Sequence, residues 1–268
     1  MSDSTVGVPG SFGVMETEFR AKRAAGRKLL VPYVTGGLEG WQDAVRAVVA
    51  AGADAVEIGI PFSDPVMDGP VIQQASQAAL DQGATPVSIL HEVRALDVQV
   101  PLAVMLYYNT VHHAGHERFA ASLRDAGVVA CIVPDLPLEE SGEWCAAADA
   151  AGVETVMLAA PTAPDERLPR VCARARGFVY SVGLLGVTGE RSALADTATA
   201  LARRLKVVTD VPVLVGVGVS NAEQAVQVTR VADGVVMGAS VVRRILESGP
   251  DAAGDYVAEV RAALDAAG

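Results

Sequence analysis

A chain of 268 residues accommodates one large α/β barrel or two small domains, and 51% hydrophobic residues are enough to bury a sizeable core. Its formal charge of −11 argues against a nucleic-acid partner, which needs a basic stripe to neutralise phosphates. No apolar run reaches the ~18 residues that span a bilayer, and no basic start precedes an apolar core and cleavage site, so a soluble cytoplasmic protein is expected.

Residues 1–14 are rich in Gly, Ser and Pro and read as a flexible leader. Met15 to Arg27 then carries a helix-like charge pattern. From there short apolar runs recur: Leu29 to Thr35, Ala55 to Ile60, Leu102 to Tyr108, Ala130 to Pro134, Thr155 to Ala160, Phe178 to Gly183, Val213 to Gly218 and Val235 to Gly238. Ala-rich segments of helical period separate them, among them Trp41 to Ala51, Glu117 to Ala126, Glu139 to Ala151 and Ala222 to Val231. Ala51-Gly52, Ala126-Gly127 and Ala151-Gly152 end three of these helices, with Gly as the left-handed cap. Eight strand–helix units point to a (β/α)8 barrel occupying residues 15–268 as one domain, with an open doubly wound sheet as the alternative. Cys131, Cys145 and Cys172 lack metal-ligand spacing and read as buried reduced thiols.

In such a barrel the chemistry sits at the C-terminal ends of the strands. Val-Glu57-Ile-Gly-Ile-Pro-Phe-Ser-Asp64-Pro-Val-Met-Asp68-Gly-Pro places one acid inside an apolar strand and two in the loop behind it. Strand alternation puts Ala55, Glu57 and Gly59 on the barrel-axis face and Val56, Ile58 and Ile60 on the other. A buried carboxylate must be paired, hydrogen-bonded or held protonated with a raised pKa. The last state suits an acid–base catalyst; a carboxylate tied to backbone donors is the structural alternative. Asp64, before Pro65, reads as a turn residue. Asp68 precedes a helical pattern over Val71 to Gln82, where it either caps the helix or faces Glu57 across a substrate.

Gly183 to Gly189, Gly216-Val217-Gly218 and Gly238-Ala239-Ser240 follow the sixth, seventh and eighth strands. Loops after the last strands, with a short extra helix such as Ala239 to Leu246, form the phosphate cradle of this fold through backbone amides, which need no lysine. Arg243 and Arg244 read as a solvated helix face with a secondary role at most. His112, His113 and His116 fall in an expected loop without a carboxylate partner at a metal-site spacing. Met105, Tyr107 and Tyr108 end the third strand, where they either line a pocket or pack in the core.

The run Glu57 to Gln73 resembles the signature of the tryptophan synthase alpha subunit family. Val31-Pro-Tyr-Val-Thr35, Tyr107-Tyr-Asn109, Pro134-Asp-Leu-Pro137, Gly186-Val-Thr-Gly189 and Gly216-Val-Gly218 extend the resemblance in the same order. It implies a (β/α)8 lyase that cleaves indole-3-glycerol phosphate to indole and glyceraldehyde 3-phosphate without metal or cofactor. Carried over, Glu57 is the principal acid–base group, Asp68 stabilises positive charge at the indole nitrogen, and Tyr180 positions Glu57 and the substrate. Gly189, Gly218, Gly238 and the Ala239 amide hold phosphate, while Tyr33, Ile72, Met105, Tyr107, Thr188 and Val217 line the indole slot. The loops 63–70 and from 186 onward close over the substrate. The implied partner is a pyridoxal-phosphate beta subunit in an α2β2 complex. A stand-alone lyase and a catalytically silent phosphate-binding barrel are the alternatives. The sequence departs from the family at Gly36-Gly37 after Thr35, at Thr110 after Asn109, and at Ala239, where a Ser is usual.

Overall fold

The structure is a computed structural model that describes residues 12–183, 191–216 and 218–268. Eight parallel strands close on themselves in sequence order. They are β1 (Leu29–Thr35), β2 (Val56–Gly59), β3 (Leu102–Met105), β4 (Ala130–Ile132), β5 (Glu154–Ala159), β6 (Val179–Val182), β7 (Val213–Gly216) and β8 (Gly234–Met237). Closure comes where β8 lies beside β1 in the register Leu29↔Gly234 to Pro32↔Met237. A Cβ at Gly234 would overlap the Leu29 carbonyl, so this seam needs Gly. The barrel expectation holds and the open-sheet alternative does not.

Twelve helices are described: α1 (Val14–Ala24), α2 (Trp41–Ala50), α3 (Pro70–Asp81), α4 (Pro86–Val93), α5 (Tyr108–Ala114), α6 (His116–Asp125), α7 (Gly142–Ala151), α8 (Leu168–Arg174), α9 (Arg191–Val208), α10 (Ala222–Thr229), α11 (Ala239–Ser248) and α12 (Pro250–Ala267). Gly52, Gly127 and Gly152 all have φ between 74° and 99°, as helix ends of the Ala-Gly type require. The third strand stops earlier than expected. Tyr107 becomes the entry residue of α5, and the Tyr108 amide donates to Asp135 Oδ1 at 2.9 Å, so a side chain from beyond β4 starts the helix. His112 and His113 consequently lie in α5, and His116 opens α6, rather than occupying a loop. His116 Nε2 is 2.9 Å from the Tyr108 hydroxyl, and the described residues contain no cluster of three or more metal-ligating side chains.

Two apolar layers follow from strand alternation. Ala55, Val31, Ile132, Val156, Tyr180 and Val236 point to the axis, whereas Val56, Ile58 and Ile60 face the surrounding helices. The N-terminal end of the barrel is stoppered by α1. Its Met15 and Phe19 are fully buried, and Phe19 meets Phe178 at 6.0 Å between ring centroids. Here β5 supplies what α1 lacks at its start: the Glu154 carboxylate accepts from the Met15 and Glu16 amides at 2.8 and 2.9 Å. The helix ends at Ala24, short of the expected Arg27, as the chain turns through Gly26 at φ 83°.

The same end holds a buried ion network. Asp54, fully buried, accepts from the Leu30 amide at 2.9 Å and Arg27 Nε at 2.7 Å, with Arg261 Nη1 and Lys22 Nζ each at 3.3 Å. It ties β1 and β2 to the first and last helices. The three cysteines are buried and unpaired, as expected. Among the described residues no helix is long and apolar enough to cross a membrane.

Candidate active site

A cavity of about 270 Å³ opens at the C-terminal end of the barrel. Glu57 lies in its wall, 1% exposed, in register with Tyr33 on β1 and Ala103 on β3. Its Oε2 is sealed from solvent and has no hydrogen-bond partner. No described backbone donor satisfies this oxygen, which departs from the structural alternative of a carboxylate tied to backbone donors. Burial first, and the neighbouring Asp68 second, push the Glu57 carboxyl up from 4.5 to about 8. At neutral pH it is therefore mostly a carboxylic acid.

Asp68 faces the same cavity from the β2–α3 loop and is half-buried. It is not a helix cap: α3 starts at Pro70 with Gly69 at the cap position and no capping side chain. Burial raises its pKa, opposed by a hydrogen bond from the Tyr107 hydroxyl. Tyr107 also accepts the Met67 amide at 2.9 Å and stacks on Phe62 at 5.1 Å. It thus stands behind the loop that carries Asp68 and is not part of the cavity wall, contrary to its expected place in the indole slot. Asp64, by contrast, is exposed and bonds only to its neighbour Ser63, at 2.6 Å, as a turn residue would.

Two tyrosines flank Glu57 by the same device. Tyr33 on β1 reaches over Gly59 of β2, and Tyr180 on β6 reaches over Gly216 of β7; a Cβ at either glycine would overlap the phenol ring and hydroxyl. Each ring is thereby laid flat against the next strand, leaving the axis open above Glu57. Burial, and in second place the charge of Asp68 on Tyr33 and of Glu57 on Tyr180, holds both phenols well above their usual pKa, so they remain neutral donors. Gly216→Ala is expected to destabilise the fold by about 1–3 kcal/mol through overpacking and to lower kcat/KM about tenfold by displacing Tyr180. Urea unfolding and steady-state rates check this; unchanged kinetics would show that the Tyr180 position is immaterial.

Ile72, Met105, Gly218, Gly238 and Ala239 complete the expected residues that the cavity gathers. Gly238 and Ala239 begin α11, whose first turn has no side-chain cap and so presents free amides to an anion. Thr188, Gly189 and Val217 lie outside the described residues, as do the loop from 186 onward and most of the expected leader. Arg244 is turned away from the site: its guanidinium stacks on Tyr256 at 3.8 Å and donates to the Ser240 carbonyl at 3.2 Å. Sequence reading missed Met67, Pro134, Leu158, Val182 and Ser240 in the wall. Inward alternation on β5 and β6 is the signal that would have found Leu158 and Val182. A larger hollow of 690 Å³ between α4 and α6 holds neither carboxylate of the pair.

A closed parallel barrel, with two carboxyl groups at its C-terminal mouth and an uncapped helix start facing the same cavity, has the layout of a (β/α)8 enzyme. The family model for tryptophan synthase alpha chains matches residues 19–265. The alpha chain of Streptomyces coelicolor is 43% identical over 254 residues, covering 91% of this chain and 92% of that one. That of Thermobifida fusca is 42% identical over 267 residues, covering 95% and 98%. A solved Mycobacterium tuberculosis tryptophan synthase chain superposes with a TM-score of 0.88 at 35% identity, covering 95% of this chain and 99% of the other. The chain belongs to the tryptophan synthase alpha chain family. It is a carbon–carbon lyase of tryptophan biosynthesis that cleaves indole-3-glycerol phosphate, and the family implies a beta-subunit partner.

Proposed function

We propose that Glu57 carries both proton transfers of the cleavage, Asp68 holds the indole nitrogen, and the α11 start with Gly218 and Gly238 holds the phosphate. The observation that supports this most is the buried Glu57 carboxyl, whose Oε2 is sealed and unpartnered among the described residues and whose pKa is raised to about 8. Being protonated at neutral pH, Glu57 delivers its proton to indole C3, which makes the ring an electron sink with positive charge at N1. Asp68, in a more polar setting, is the ionised partner that accepts the N1–H. The Glu57 carboxylate then takes the proton of the hydroxyl next to the ring. As that carbonyl forms, the C–C bond electrons return to the ring, releasing indole and glyceraldehyde 3-phosphate with Glu57 again protonated. Tyr33 and Tyr180 keep the geometry, and Ile72 and Met105 grip the ring.

The phosphate contacts at Gly189 and the slot contacts at Thr188 and Val217 belong to the same proposal. So do closure of the loops 63–70 and from 186 onward, a one-domain chain over 15–268 behind a leader, a cytoplasmic location and assembly with a pyridoxal-phosphate beta subunit as α2β2.

The pH profile tests the division of labour. Activity needs Glu57 protonated and Asp68 ionised, so kcat/KM is expected to fall above about 8 and to fall again on the acid side as Asp68 takes up a proton. Asp68→Asn should lower kcat about 10²-fold, the usual worth of a transition-state charge contact, and abolish the acid limb only. An acid limb that survives in Asp68→Asn would assign it to another group. For the assembly, adding a beta subunit should raise the cleavage rate and shift the chain to a larger species on size exclusion.

A further inference from the structure

We propose that the barrel wall beside the active site contains a second binding site, for a small flat uncharged aromatic molecule bearing one N–H donor, the chemistry of the indole product. The site is a separate cavity of about 300 Å³ between the outer face of β4 and β5 and the helices α7 and α8. Its lining is mostly apolar, and its charged members are engaged elsewhere: Asp135 accepts from the Tyr108 amide and Arg167 donates to Glu139. Cys131 from β4, Met157 and Ala159 from β5, and Trp144 and Cys145 from α7 face it, all buried.

Its base holds one unsatisfied polar group. Thr155 is 2% exposed, and its Oγ1 is sealed from solvent without a hydrogen-bond partner. On β5 it shares the outward face with Met157 and Ala159, which puts its side chain on the cavity side. Buried hydroxyls are ordinarily bonded, and an orphan one costs the desolvation of the group. A ligand with a single N–H donor and otherwise apolar surface donates to Thr155 Oγ1, filling the acceptor side of the hydroxyl, and leaves nothing of its own unpaired. The thiols do not alter it: burial pushes the Cys131 thiol up, so it stays a neutral, weakly polar wall.

The occupant follows from position as well as chemistry. Met67, Pro134, Leu158 and Val182 line both this cavity and the one holding Glu57 and Asp68. Among the described residues, these side chains separate a molecule released at Glu57 from the second chamber. Met67 sits on the same loop as Asp68, and an unbranched thioether side chain repacks at low cost. The proposal rests on indole being the product; the cavity and its orphan hydroxyl do not.

Crystals of the full chain soaked with 5-bromoindole should show anomalous bromine density in the β4/β5–α7/α8 cavity as well as in the Glu57 cavity. In solution, equilibrium dialysis with indole should give two sites per chain. Thr155→Val, which preserves shape, should weaken the second site about five- to tenfold, the worth of one neutral hydrogen bond. 1-Methylindole, lacking the N–H, should show the same loss on the unaltered protein. Ala159→Phe should fill the cavity and leave one site; if that variant does not fold, the 1-methylindole comparison carries the test on native protein. Bromine confined to the Glu57 cavity, a stoichiometry of one, or equal affinity of indole and 1-methylindole at the second site would overturn the inference. Turnover of indole-3-glycerol phosphate by the same preparation separates the two readings. Turnover with a single site sinks the second chamber alone, whereas two sites without turnover sink the mechanism and leave the chamber.

Discussion

Glu57→Gln is expected to reduce cleavage of indole-3-glycerol phosphate about 10³-fold or more while making the folded protein more stable at neutral and alkaline pH. The kinetic part follows from the loss of both proton transfers, each of a kind worth roughly 10²–10⁴ in rate. The stability part follows from linkage. The folded Glu57 pKa, about 8, lies above its ordinary value of 4.5, so the folded state binds the proton more tightly than the unfolded state does. The contribution of this group to stability is whole below 4.5 and is lost as pH rises to about 8. At pH 7 the cost is on the order of 3 kcal/mol, reduced by any relaxation around the site. Gln cannot ionise, so its stability curve should be flatter with pH and its Tm roughly 10 °C higher at pH 8, where the cost is about 4 kcal/mol. Scanning calorimetry from about pH 4 to about pH 9, a range that brackets 4.5 and 8, and single-turnover assays read both effects. A variant that is as active as the parent removes the proton-transfer assignment, and one with the parent's pH–stability slope removes the raised pKa.

Asp54→Ala should be the most damaging change for the fold and leave the chemistry of the surviving folded protein nearly intact. Asp54 is fully buried and gathers Arg27, Lys22, Arg261 and the Leu30 amide around one carboxylate. Arg261 is itself only 6% exposed. Deleting the anion leaves the Leu30 amide unpaired and takes from Arg261 one of its two carboxylates, Asp265 remaining at 2.6 Å, and breaking a buried pair from one side costs about 3–5 kcal/mol. For a chain of this size that lowers Tm by roughly 10 °C. The network sits at the N-terminal end of β2, whereas the cavity lies at the C-terminal ends, so kcat below the new Tm should change less than about twofold. Urea titration measures the loss. If Asp54→Ala unfolds at the parent's midpoint, the surrounding cations are satisfied by water and the network is not a fastener.

Division of the molecule into a stability end and a chemistry end is what the alternation in Ala55 to Gly59 already implied. Local pattern sufficed for the strands, for the Ala-Gly helix ends and for the inward direction of Glu57, because these depend on chain geometry within a few residues. It did not suffice where a distant residue decides the outcome. The end of β3 at Met105 depends on Asp135, 27 positions from Tyr108, and α1 is capped by Glu154, 139 positions from Met15. Tyr107 was legible as a site residue, but its place behind Asp68 was not, since that follows from the packing of Phe62 and the Met67 amide against it.

By itself the sequence determined the eightfold strand–helix order, the acid in an apolar strand, the glycines after the last strands and the family resemblance carried by Glu57 to Gln73. Only the tertiary structure decided that Glu57 Oε2 is buried without a partner among the described residues and that burial raises the carboxyl's pKa, that Asp68 is a wall of the cavity and not a helix cap, and that Gly59 and Gly216 are floors for Tyr33 and Tyr180. Only it revealed a second chamber with an orphan hydroxyl at Thr155. The physical reason is common to all of these: charge state, ring placement and unfilled volume depend on which strands become neighbours, and barrel closure sets that over separations far longer than any local period.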